Sequence, residues 1–166
     1  MINGTVRAIT LWQPWASFMM AGLKTYETRS WRLPEDGWVA IHAAKREPRD
    51  VGRFINERSQ SQHRRMFLAG LGIIGEVFER LPRGQVLGLA LFNESVPVET
   101  VRWTLGAYDS HLGDWTDGRF AWPVANIYHF PRGIPARGKQ GIWHWTMPTD
   151  LAVAFHSWQE ERDRQC

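Results

Sequence analysis

Cysteine is almost missing from this chain: the single thiol, Cys166, is its last residue. One thiol closes no internal disulfide, and a thiolate metal cage needs several. Lysine is nearly as scarce, occurring only at 24, 45 and 139, so 17 of the 20 basic residues are Arg. No apolar run approaches the ~20 residues that span a bilayer. The opening MINGTVRAIT carries no hydrophobic stretch of a secretory signal. Neither HExxH nor HxxxH occurs, so no metal is expected, and no cofactor motif stands out. The basic loop RGIPARGKQG is not a Walker A sequence, because its Gly-Lys is followed by Gln. Repeats and low-complexity tracts are also absent. Together these absences predict a cytoplasmic protein without a membrane anchor, bound metal or cofactor.

Tryptophan and arginine are what the chain has in excess. Ten Trp occur in 166 residues, and the formal net charge is +3. A chain of this length makes one domain with a sufficient core. Arg pairs bidentately with phosphate and stacks on rings. Aromatic stacking combined with positive charge is how single-stranded nucleic acid is held. The competing use of Trp is to fill a small core, since each ring buries a large area.

Strand patterning is clear in several places. Thr5–Leu11 reads as a first strand, followed by Trp12-Gln13-Pro14-Trp15, where Pro14 starts a short helix with Gln13 near its N-cap. Gly22 ends that helix in left-handed conformation, and Thr25–Trp31 is extended. Gly37–Ala44 is a second clear strand, with Val39, Ile41 and Ala43 on one face and Trp38, Ala40, His42 and Ala44 on the other. Asp50–Leu71 and Ile73–Leu81 read as helices. In Gln85–Val96, Leu87, Leu89 and Leu91 face one way and Val86, Gly88, Ala90 and Phe92 the other, with Gly88 and Ala90 marking a close approach. A short helix is expected over Val98–Leu105. Arg119–Phe130 is a strand interrupted at Pro123, Pro131–Gly141 a loop, and Ile142–Met147 a last strand. Asp150 caps a C-terminal helix from Leu151. Five or six strands with helical insertions predict an α+β domain built on a small mixed β-barrel over residues 1–148, with a helical tail over 149–166.

The stretch Lys24, Thr25, Glu27 and Arg29 carries the most chemistry. In extended backbone Thr25, Glu27 and Arg29 share a face, so Glu27 and Arg29 form an ion pair. Lys24 and Glu27 are placed at the mouth of a cleft, where burial would favour a neutral amine and the carboxylate a charged one. Lys24 lies just beyond the helix stop, so its removal is expected to leave the fold nearly untouched. Trp12 and Trp15 are three apart on the first helical turn and form either a stacking platform or a plug for the barrel mouth. Gln13 between them has an amide able to read a base edge. His42 is either a satisfied core residue or part of a binding surface. Lys45 follows the second strand, and the Lys45–Arg65 stretch sets seven cations against Glu47, Asp50 and Glu57. Arg137 and Lys139 lie among glycines whose amides can approach an anion.

Four segments in order resemble ASCH domains: LWQPWASFMMAGLKTYETRSW from Leu11, GWVAIHAAK from Gly37, VLGLALF from Val86, and RFAWPVANIYHF followed by GKQGIW. The resemblance covers nearly the whole chain except its C-terminal tail. It implies a PUA-like pseudobarrel with a cleft beside the first helix and a link to RNA. It also implies a possible hydrolase, because some small members hydrolyse acetylated cytidine and ribonuclease activity has been proposed for others. Those amidohydrolases use a Lys, a Thr and a Glu. Their Lys matches Lys24, but where their Thr stands this chain has Glu27, leaving Thr25 or Thr28 as the nearby hydroxyl, and their Glu falls in a variable insertion. The expected function is therefore binding of RNA or of a modified nucleotide through Trp12, Gln13, Trp15, Lys24, Thr25, Arg29, His42, Lys45, Arg137 and Lys139. The alternative is hydrolysis with Lys24 and Glu27 as an acid/base pair. A weaker third reading is a protein-interaction domain using exposed Trp.

Overall fold

Alternating hydrophobicity builds most of the molecule. A computed structural model describes residues 4–46 and 79–165. The helix expected over Asp50–Leu71, most of that over Ile73–Leu81, and most of the basic stretch Lys45–Arg65 lie outside the described residues. Seven strands form one sheet: β1 (Thr5–Leu11), β2 (Tyr26–Arg29), β3 (Gly37–Ala43), β4 (Gln85–Phe92), β5 (Val96–Pro97), β6 (Phe120–Pro135) and β7 (Ile142–Thr146). Their order is β2-β6-β4-β3-β1-β7, with β5 beside β6. Among the described strands only β1 and β3 run parallel.

The hydrogen-bonded path is open, with β2 and β7 at its ends, so the expected barrel is not closed by a strand pair. The sheet nevertheless curls far enough for the Arg29 guanidinium on β2 to reach the Thr10 carbonyl on β1 at 3.5 Å. Helices α1 (Trp15–Met20), α2 (Val98–Val101), α3 (Asp109–Leu112) and α4 (Thr149–Asp163) complete the described elements, with a 3-10 turn at Arg102–Thr104.

Each face of the sheet has its own core. Ile9, Leu11, Val39, Ile41 and Ala43 pack with Met19 and Met20 of α1 and with Trp122. Val6, Ala8 and Ala40 pack with Leu151 and Phe155 of α4. The face split read for β3 is thus the one observed. In β4 the alternation breaks: Val86 and Leu89 join the α4 side, Ala90 and Phe92 the α1 side. The cause is a register shift between Val86 and Gly88 against β6. One extra residue in a ladder moves every following side chain to the other face.

Two glycines are required by the local geometry. At Gly22 (φ +72°) the Gly22 amide donates to the Met19 carbonyl and the Leu23 amide to the Phe18 carbonyl, closing α1 with a Schellman motif. A Cβ on Gly88 would lie 2.3 Å from the Tyr128 carbonyl and 2.5 Å from the Met20 methyl, so here β6 and α1 come as close as the strand pattern predicted.

Segment 131–135, expected to be loop, instead extends β6, because Ile134 and Pro135 pair with Val86 and Gln85. Pro123 does not end the strand either. It supplies no N–H, and its carbonyl accepts from the Asn93 amide at 2.9 Å. The expected helix at Val98–Leu105 is a four-residue α-turn followed by the 3-10 turn, and α3 falls in a turn-rich stretch with no clear periodicity.

Candidate functional site

The chemistry expected around Lys24 is present but turned inward. Lys24 is 2% exposed. Its ammonium donates to the Tyr26 carbonyl at 2.5 Å and pairs with Glu27 Oε2 at 3.2 Å. Glu27 Oε1 lies 2.9 Å from Arg29 Nε, so one buried carboxylate holds two cations. The Glu27–Arg29 pair is the one the strand period placed on a single face. The expectation that Lys24 is an exposed, expendable residue is overturned: the Schellman turn directs the chain back under Phe18, whose carbonyl also receives the Lys24 amide at 3.2 Å.

Beside this network is an open depression of about 270 Å³, lined by Gly22, Lys24, Thr25 and residues 124–127 of β6. The neighbouring hydroxyls are already engaged. Thr25 Oγ1 donates to Asp109 Oδ2 at 2.5 Å, and Thr28 Oγ1 accepts from the Asp114 amide at 2.9 Å. Asp109 was not singled out from the sequence. Its buried carboxylate also accepts the Thr25 amide at 2.8 Å and the Tyr26 amide at 3.3 Å, anchoring the start of β2.

A second group of expected residues gathers at the other end of β4. Gly84 is its node: the Gly84 amide donates to Ala43, its carbonyl accepts from Ala136, and the Lys45 stem packs against its α-carbon. Lys45, Arg46, Arg83, Arg137 and Lys139 are thereby brought together from three segments, and all but the half-buried Arg83 are exposed. Pro82, beside Arg83, accepts Gln13 Nε2 at 2.7 Å. Gln13 Oε1 accepts the Ser17 amide at 3.1 Å, which serves as a cap for α1 from one residue before Pro14. Its amide is therefore used on both sides within the fold.

Trp12 precedes α1 and is 44% exposed, whereas Trp15 is its first residue and half-buried, so the two do not share a helical turn. Eight of the ten Trp are buried or half-buried, which leaves Trp12 and Trp103 (81% exposed) as the rings accessible for stacking. Trp103 lies on the 3-10 turn with the Arg102 guanidinium 4.8 Å over its ring, and the sequence reading did not pick it out.

His42 is 1% exposed, on the α4 side of β3. Its Nε2 lies 3.1 Å from the Ala136 carbonyl, and the ring meets Trp143 edge-on. Loss of hydration holds its pKa below the usual histidine value, with the Ala136 contact acting in the opposite direction. Among the described residues no cluster of His, Cys, Asp and Glu forms a metal site, and no helix is long and apolar enough to cross a membrane.

No protein-family model matches the chain. A 45-residue stretch is 42% identical to human activating signal cointegrator 1, covering 26% of this chain and 8% of that protein. The ASCH protein of Zymomonas mobilis has a similar structure at 18% identity, with a TM-score of 0.49, over 91% of this chain and 93% of that one. Two mutant structures of the same protein align at TM-score 0.45, covering 91% and 92% of this chain and 96% and 94% of theirs, also at 18% identity. All three structures are of one ASCH protein.

Proposed function

We propose that this chain is an ASCH-type nucleic-acid-binding module that takes single-stranded RNA across its basic end and a nucleotide in the cleft beside α1. The observation that carries this reading is the convergence of Lys45, Arg46, Arg83, Arg137 and Lys139 around Gly84, next to the exposed Trp12 segment. Cations spaced around a backbone node suit successive phosphates, and an exposed indole suits a base face. Thr25 lines the depression, and this reading assigns Trp15 and Arg29 to the same ligand.

Binding is favoured over hydrolysis by the basic end of the molecule and not by the cleft. Lys24 and Glu27 satisfy one another, and the hydroxyls of Thr25 and Thr28 are bonded to Asp109 and the Asp114 amide. Hydrolysis would use these same bonds, with Thr25 activated by Asp109, and it makes no use of the cations around Gly84.

The test is fluorescence anisotropy with a short single-stranded RNA over a salt series. Three to five phosphate contacts give a log–log slope of about −2 to −3.5, and Trp12→Ala costs about 1–3 kcal/mol of affinity. A flat salt response with unchanged Trp12→Ala affinity overturns the reading. Release of acetate from acetylated cytidine would instead establish the hydrolase.

A further inference from the structure

Segment 136–138 clamps the buried ring of His42 from both sides. On one side Nε2 donates to the Ala136 carbonyl at 3.1 Å, because a carbonyl can only accept. That bond puts the ring proton on Nε2 and leaves Nδ1 as a bare acceptor, and Nδ1 is buried with no hydrogen-bond partner. On the other side is the backbone of Gly138. A Cβ there would lie 2.4 Å from the ring Cε1, 2.5 Å from Nδ1 and 2.7 Å from Thr10 Oγ1. Only a glycine can seat on the ring so closely. The flanking residues, Arg137 and Lys139, are the exposed cations of the loop.

We propose that His42 is a proton-operated latch on the Arg137–Lys139 segment: the neutral ring seats Gly138, and a proton on Nδ1 unseats it and frees the two cations. This inference stands whether or not the protein binds RNA.

The groups around the ring explain why a proton is not accommodated there. β1 contributes the Thr10 hydroxyl, which also receives Trp143 Nε1 at 3.2 Å, and the Arg29 guanidinium on the Thr10 carbonyl. β4 places Val86 opposite His42 in register. β7 contributes Trp143, followed by the exposed His144. The strand of His42 itself runs on to Lys45, and the seated segment brings Arg137 and Lys139. Arg29 is paired with Glu27, the other fixed charges among these are positive, and among the described residues no carboxylate lies within ion-pair distance of the ring. A proton on Nδ1 would be a buried N–H with no acceptor, next to cations. Lifting Gly138 admits water to Nδ1 and relieves both costs.

The direction with pH follows from linkage. The seated ring has a pKa held below 6.5 by burial, while the lifted, hydrated ring returns toward 6.5. As pH falls below about 6.5 the lifted form binds the proton first. It gains population by up to about tenfold per pH unit, until pH passes the pKa of the seated ring. Above about 6.5 the seating does not depend on pH.

Hydrogen–deuterium exchange of the full chain at pH 7.5 and 5.5, corrected for intrinsic rates, tests the latch. Protection of a peptide spanning residues 136–142 should fall at the lower pH, by at most about tenfold, with a peptide spanning β4 unchanged. His42→Gln should remove the step. Gly138→Ala, whose methyl cannot coexist with the seated ring, should give the low-protection state at both pH values, so the test survives a poorly folding His42→Gln. Equal protection of 136–142 at both pH values in the wild type overturns the proposal. So does an undiminished step in either variant, or an equal loss of protection in β4, which would make the change global.

Discussion

Replacing Lys24 by methionine tests the inward-facing network directly. Met keeps most of the side-chain volume and removes the charge, so the perturbation is electrostatic. Two contacts disappear: the 2.5 Å bond to the Tyr26 carbonyl and the 3.2 Å pair with Glu27. Glu27, 7% exposed, keeps Arg29 at 2.9 Å on its other oxygen. Breaking a buried pair by removing one partner costs about 3–5 kcal/mol, and the remaining Arg29 contact puts the expected loss at about 3 kcal/mol. For a chain of this size that lowers Tm by about 6–12 °C. The Lys24→Met, Glu27→Leu double variant should lose less than the sum of the two singles. It leaves no stranded carboxylate, and Arg29, partly exposed, can turn to water. Urea and thermal unfolding of the four proteins measure the cycle. A Lys24→Met loss within about 0.5 kcal/mol, as for a surface residue, or a strictly additive double, refutes a buried, coupled network.

Two further substitutions probe contacts that position the cleft. Gly88→Ala should cost about 3 kcal/mol or more by chemical denaturation, because a Cβ 2.3 Å from the Tyr128 carbonyl meets backbone and cannot be accommodated by a rotamer change. A neutral result would show that β6 can move away from β4. Asp109→Asn should cost about 1–3 kcal/mol, since the Thr25 hydroxyl and two amides lose a charged acceptor. If Thr25→Ala in the Asp109→Asn background costs as much as it does alone, the two residues are not coupled.

Much of the fold could be read from local pattern. The faces of β1 and β3, the stop of α1 at Gly22, the close approach at Gly88 and the Glu27–Arg29 pair all follow from period and backbone sterics within a few residues. β4 shows where that ends. Its alternation reverses at a bulge set by pairing with β6, and no feature of Gln85–Phe92 alone announces the shift. The extension of β6 through Pro135 has the same origin, since Pro131 and Gly133 look like loop residues until β4 supplies the ladder.

Which residue types the site contains is legible in the primary structure, because lysine is rare and the Lys-Thr-Tyr-Glu-Thr-Arg stretch holds three charges within six residues. Which way those charges face depends on how the chain packs. Lys24 is buried because the turn after α1 folds it against β2, and Asp109, 84 residues along the chain from Thr25, fixes where β2 begins. Likewise three separate segments place their cations together through two backbone hydrogen bonds at Gly84, a residue with no charge of its own. Composition sets how many charges a chain carries. Burial and the partner of each charge depend on contacts between residues far apart in sequence, and those exist only once the sheet has formed.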